Sequence, residues 1–193
     1  MKRFKRIKID RWLILLFILT SNVISAQNLS SDEIIETKSN TYKSRKLLFG
    51  ISIENIQNEN NTKGLNIYNP EIYEFSWVKI KSHDDFLNVF NVAFSKERIE
   101  LLAKKNERII ISCKVDEKAN IIVTSFILDI NTQITIEEIE KLEHNLIKKV
   151  NFEVVGKKFT EPIYYDWSIR VFFKEVEKGE IEFARKSESY KGN

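Results

Sequence analysis

Two histidines and one cysteine carry most of the side-chain chemistry open to this 193-residue chain. His83 stands in the run Ser82-His83-Asp84-Asp85, and His144 follows Glu140 by four positions. A histidine beside carboxylates is the raw material of a general acid–base pair or a metal site. The spacing argues against both. Adjacent residues on a helix point in different directions, and Ser and Asp ahead of an apolar-periodic run are what a helix N-terminus prefers. Glu140 and His144 could share a helix face, but no third ligand is spaced to join them, and Glu137, Lys141 and Lys148 make the surroundings an ordinary charged surface. Glu137 and Glu138 fit the first helical turn without an acid–base role. Cys113 lies in "RIIISCKVD", where alternation puts it on one face with Ile109, Ile111 and Val115. It reads as a small buried hydrophobe, and a single cysteine excludes an intramolecular disulfide. There is no Gly-rich phosphate loop, no G-x-S-x-G and no zinc-type Cys/His spacing, so the chain is expected to be non-catalytic, with no catalytic or metal residues and no cofactor.

Recognition by contact is the remaining chemistry, and it rests on aromatic residues. Tyr73 and Trp77 share one face of an expected strand, and Tyr165 and Trp167 share one face of another. These four are the candidate ligand or partner contacts, set against the simpler reading that they pack a core.

The elements that must position them follow from periodicity. Residues 47–56, with Phe49, Ile51 and Ile53 alternating, read as a first strand, and residues 57–64 as a loop. Pro70 interrupts the next run, so a second strand is expected over 72–80. Phe86, Val89, Phe90 and Phe94 recur at helical spacing behind Ser82, and Ile99, Leu102 and Ala103 behind Ser95; one bent helix or two would satisfy the pattern. Two apolar runs, 109–115 and 121–128, flank "VDEKANII" as a hairpin. Thr135 with Glu138 forms a capping-box pair ahead of the stripe Ile136, Ile139, Leu142, Leu146 and Val150, which predicts the most secure helix. "YDWSIRVFF" then alternates as a half-buried strand. The expected fold class is α+β, an antiparallel sheet with helices packed on one face. Residues 27–46 are expected to be a flexible lead-in, 47–176 a single domain and 177–193 a flexible tail.

The order strand, turn, strand, helix, strand over 108–173, with Val115, Asp116 and Ile121 in the pattern V-D-x-x-G-x-[VI], resembles the C-terminal domain of TonB-type energy transducers. Ala119 falls where that family has glycine, so this turn must either hold Ala119 in the left-handed region or move that conformation to Asn120. The resemblance covers 66 residues by number, and it implies a ββαβ fold and a sheet edge able to accept a partner strand. It does not imply force transmission, because the chain has only two prolines and no proline-rich spacer.

The first 26 residues have the layout of a secretory signal: six Lys or Arg before Trp12, an apolar run over 12–19, and an exit at Ser25-Ala26. Eight apolar residues fall short of the roughly 20 that span a bilayer as a helix. Cleavage near Ala26 is expected, with export to the periplasm or cell surface. Without that segment the chain holds 25 basic and 27 acidic residues, a net charge of −2 in place of +3. The near-neutral balance offers no reason to invoke nucleic acid or an anionic membrane, and the mature chain is expected to lack a membrane span. The expectation is an exported protein–protein interaction module with an envelope protein as partner. A small-ligand or glycan binder is the alternative, and an unrecognised hydrolase the third reading.

Overall fold

The computed structural model describes residues 32–69, 76–157, 159, 161–181 and 183. The signal-like segment, Tyr73 and residues 184–193 lie outside them. The chain opens with β1 (Ile34–Glu36), β2 (Thr41–Leu47) and β3 (Gly50–Asn55), followed by a 3-10 turn, β4 (Asn66–Ile67) and β5 (Ser76–Ile80). Helices α1 (His83–Ala93) and α2 (Lys96–Lys104) precede β6 (Arg108–Asp116) and β7 (Ile121–Leu128). Helix α3 (Ile136–Lys149), β8 (Phe152–Gly156), β9 (Ile163–Phe172) and the short α4 (Phe173–Lys178) complete the order.

The fold is α+β. Seven strands form one sheet in the order β1-β2-β3-β7-β6-β9-β4, and β5 with β8 forms a separate pair. Every neighbour is antiparallel except β4, which lies parallel to β9 at the edge. Strand β3 hydrogen-bonds to β7, so the N-terminal strands extend the C-terminal sheet. Alternation on each strand sends Ile51, Ile53, Ile109, Ile111, Phe126, Leu128 and Val171 to one face, where they join Phe86, Val89 and Phe90 of α1 and Ile139, Leu142 and Leu146 of α3 in one core. Full burial of a side chain such as Phe90 contributes about 1.5–3 kcal/mol before entropy is counted.

Local signals act as read. Ser82 Oγ accepts from Asp85 N at 3.1 Å, and Ser95 Oγ from Arg98 N at 3.2 Å. Phe94 between them is extended, with φ −122°, so the apolar run divides into two helices. Thr135 and Glu138 form the reciprocal capping box of α3.

Four expectations need correction. The lead-in over 27–46 contains β1 and most of β2, where Tyr42 and Ser44 turn inward while Thr41 and Lys43 do not. One large apolar residue among polar neighbours is too faint a period to read. The first strand begins at Gly50, because Leu48 and Phe49 make the β2–β3 turn. A further strand, β8, follows α3, and it pairs with β5 instead of joining the larger sheet. Structure continues past 177: α4 runs to Lys178 and is capped by Gly179 with φ 75°, and Ile181 and Phe183 pack against the core.

At the β6–β7 turn the left-handed conformation falls on Ala119, with φ 69°. Asp116 fixes it there, since its Oδ1 accepts from Lys118 N at 3.0 Å and Asn120 N at 2.7 Å. An alanine in this region costs about 1–2 kcal/mol that glycine avoids, offset in part by glycine's freer unfolded chain. Ala119→Gly is therefore expected to stabilise the protein by about 0.5–1 kcal/mol in urea denaturation; a loss of stability would show that the turn is not strained.

Candidate functional site

Strand β9 has two different edges. Its odd-numbered residues exchange backbone hydrogen bonds with β6 along the whole strand. Its even-numbered residues face the other way, where β4 covers only the beginning: Asn66 N donates to Pro162 O at 2.9 Å and Tyr68 N to Tyr164 O at 2.8 Å. The N–H and C=O groups of Asp166, Ser168 and Arg170 point to the same side, and no described strand pairs with them there. Strand alternation fixes this geometry, because successive residues direct their backbone groups to opposite edges.

A cleft of about 590 Å³ opens beside that edge. Asp166, Trp167 and Ser168 form one wall, residues 77–80 of β5 form another, and Tyr68, His83 and Phe183 close the rim. Three of the four candidate contacts, Trp77, Tyr165 and Trp167, come together in its lining. Their roles differ. Tyr165 is only 3% exposed, its hydroxyl 3.0 Å from Ser76 Oγ and its ring 5.0 Å from that of Tyr68, so it builds the wall. Burial pushes its phenol above the ordinary tyrosine value. Trp167 is half-buried between Phe86 and Phe152, which meet it edge-on at 5.9 and 5.1 Å. Trp77 is half-buried as well, and the β5 residues that enter the core are Ser76, Val78 and Ile80. Trp77 therefore lies on the strand face that alternates with the buried one.

The polar groups around the cleft do structural tasks. Ser76 N donates to Tyr68 Oη at 2.8 Å, and Lys79 pairs with Glu153 at 2.8 Å. His83 stacks on Phe183, ring centroids 3.8 Å apart and 12° from parallel. Among the described residues no serine or cysteine side chain is hydrogen-bonded to a histidine, and no group of three His, Cys, Asp or Glu could hold a metal ion. Stacking and backbone hydrogen bonding are the chemistry the cleft offers. Glu140, paired with His144 by spacing, instead accepts from Thr37 Oγ1 at 2.6 Å and Ser39 N at 3.1 Å, which ties α3 to the turn before β2. Cys113 is 2% exposed, and burial, reinforced by the charge of Glu143, pushes its thiol up to about 12. It is no nucleophile.

No family model matches the chain, and no curated protein matches it. Its fold is known elsewhere. The chain is similar to the crystal structure of a DUF5043 family protein from Bacteroides uniformis, with a TM-score of 0.58 and 13% sequence identity, over 74% of this chain and 85% of that one. At that identity the likeness is one of fold. Among the described residues no helix is long and apolar enough to cross a membrane.

Sequence reading missed Tyr68, Phe183 and the buried carboxylate of Glu143. Glu143 was open to discovery, since it sits four residues after Ile139 and three before Leu146, inside the apolar stripe of α3. It is 1% exposed and accepts from Tyr42 Oη at 2.5 Å, from Asn55 Nδ2 at 3.0 Å and from Thr124 Oγ1. Tyr68 and Phe183 carried no such period.

Proposed function

We propose that this chain is an exported, non-catalytic binding module that takes an extended segment of an envelope protein along the open edge of β9. One observation carries the reading: the backbone of Asp166, Ser168 and Arg170, with which no described strand pairs on the side away from β6, borders the aromatic cleft of Trp77 and Trp167. Strand addition draws affinity from main-chain hydrogen bonds and specificity from pockets for alternate side chains, and both features lie side by side. The signal-like N-terminus supports export, and the TonB-like pattern over 108–173 supports the same mode of contact.

Ser168→Pro tests this with little damage to the fold, because the Ser168 N–H faces away from β6 and its loss removes no ladder hydrogen bond. Partner capture from envelopes by the tagged protein is expected to fall about tenfold or more, with a stability cost of about 1 kcal/mol or less. Undiminished capture by the folded variant would refute the β9 edge as the binding surface.

The half-buried Trp77 and Trp167 favour a second reading, a small ligand or glycan stacked in the cleft. Such a ligand would perturb tryptophan fluorescence equally in wild type and Ser168→Pro, and would be lost in Trp77→Ala.

A further inference from the structure

Opposite in character to the cleft is the tip of the β2–β3 hairpin. Two-residue connections between antiparallel strands normally carry Asn-Gly or Asp-Gly, which adopt the left-handed conformations that primed turns need. Here the turn is Leu48-Phe49, and neither residue has a positive φ. Turn geometry thus gives no reason for these side chains, which are 88% and 81% exposed. Isolated exposed apolar residues are ordinary, but these are not isolated. Ile130, 52% exposed, lines the same shallow depression as Leu48 and Phe49, and Leu47 adds a further 39% exposed side chain.

Cations outnumber acids around the tip. Arg45 and Lys46 lie exposed just behind it on β2, and Lys105 lies across the depression, with no ion pair to any described residue. The two acids nearby are already engaged. Glu107, 7% exposed, accepts from Thr132 Oγ1 and Gln133 N, and Asp129 pairs with Arg108 at 2.9 Å. A convex apolar tip inside a basic collar is complementary to an anionic bilayer surface, where apolar side chains enter the acyl boundary and cations meet headgroup phosphates.

We propose that the β2–β3 hairpin tip is a membrane-surface contact, inserting Leu48 and Phe49 into an anionic lipid interface while Arg45, Lys46 and Lys105 bind its headgroups. The proposal is independent of the β9 edge.

The test places an environment-sensitive nitrobenzoxadiazole label at the tip of the full chain through Leu48→Cys; buried Cys113 does not compete for it. A control label goes on Lys118→Cys at the β6–β7 turn, which β7 carries to the other end of the sheet. With vesicles of phosphatidylcholine and phosphatidylglycerol at 7:3, the tip label is expected to shift to shorter wavelength while the control label does not. Phosphatidylcholine alone should give no shift. Phe49→Ser should remove the effect, and Lys46→Gln with Lys105→Gln should weaken it about tenfold or more. The proposal is overturned if neither label responds, as when the N-terminal segment alone holds the chain to vesicles. It is equally overturned if both labels respond, or if the tip label responds only to protein concentration, which would mark contact between copies.

Discussion

Glu143→Ala is expected to destabilise the protein by about 3 kcal/mol or more, because three buried donors lose one shared acceptor and each unsatisfied donor costs about 1–3 kcal/mol. The carboxylate lies where β2, β3 and β7 meet α3, and it receives Tyr42 Oη, Asn55 Nδ2 and Thr124 Oγ1. Three donors suit a carboxylate, whose two oxygens together offer about four acceptor positions. The neighbourhood registers it: burial first, then the charge of Glu143, raises Tyr42 well above the ordinary tyrosine value. All buried side-chain polar atoms among the described residues have partners, so the network has no slack to absorb the loss. Urea denaturation with an unchanged m-value measures the effect. A double-mutant cycle with Tyr42→Phe identifies its source: the Tyr42 substitution should cost less in the Glu143→Ala background than in wild type. Additive costs would show that the two groups act independently.

Gly50→Ala should cost about 2–3 kcal/mol, near the top of the usual range for overpacking. A Cβ at this position would lie 2.1 Å from Leu128 O and 3.2 Å from Leu128 C, both backbone atoms that cannot rotate away. The strands must part where Ile51 pairs with Leu128, at the base of the hairpin that carries Leu48 and Phe49. Thermal unfolding would report the loss, and hydrogen exchange should show it first in β3 and the adjoining end of β7. A variant as stable as wild type would mean that the ladder yields at this point without cost.

How much of this was legible depends on how local each cause is. The caps at Ser82, Ser95 and Thr135, the stripe of α3 and the alternation of β6, β7 and β9 were readable, since each rests on residues a few positions apart. Ala119 was foreseen as one of two outcomes, and Asp116 decided between them through hydrogen bonds within the turn. β1, β2 and β8 were not legible because their periods are short and their burial comes from remote partners: Tyr42 from α3, and Phe152 beneath Trp167. Net charge misled in another way. A near-neutral total conceals the basic collar of Arg45, Lys46 and Lys105, because composition averages over a surface that folding sorts into patches.

The candidate site divides along the same line. Alternation alone put Tyr165 and Trp167 on one face of a strand, and the absence of a nucleophile–base spacing was a property of the chain as written. Whether Trp77, 88 residues before Tyr165, would meet it depended on β5 leaving the main sheet to pair with β8. Which part of the β9 edge is covered among the described residues depended on where β4 meets it, at Ile163 and Tyr164. Sequence by itself determined helix, strand and turn wherever the period and the caps are local, and with them the α+β class. Only the tertiary structure decided which strands become neighbours, which aromatics share a cleft and which carboxylate is sealed in the core. Those outcomes are set by long-range pairing, whose energies depend on residues far apart in the chain and leave no period in the sequence to be read.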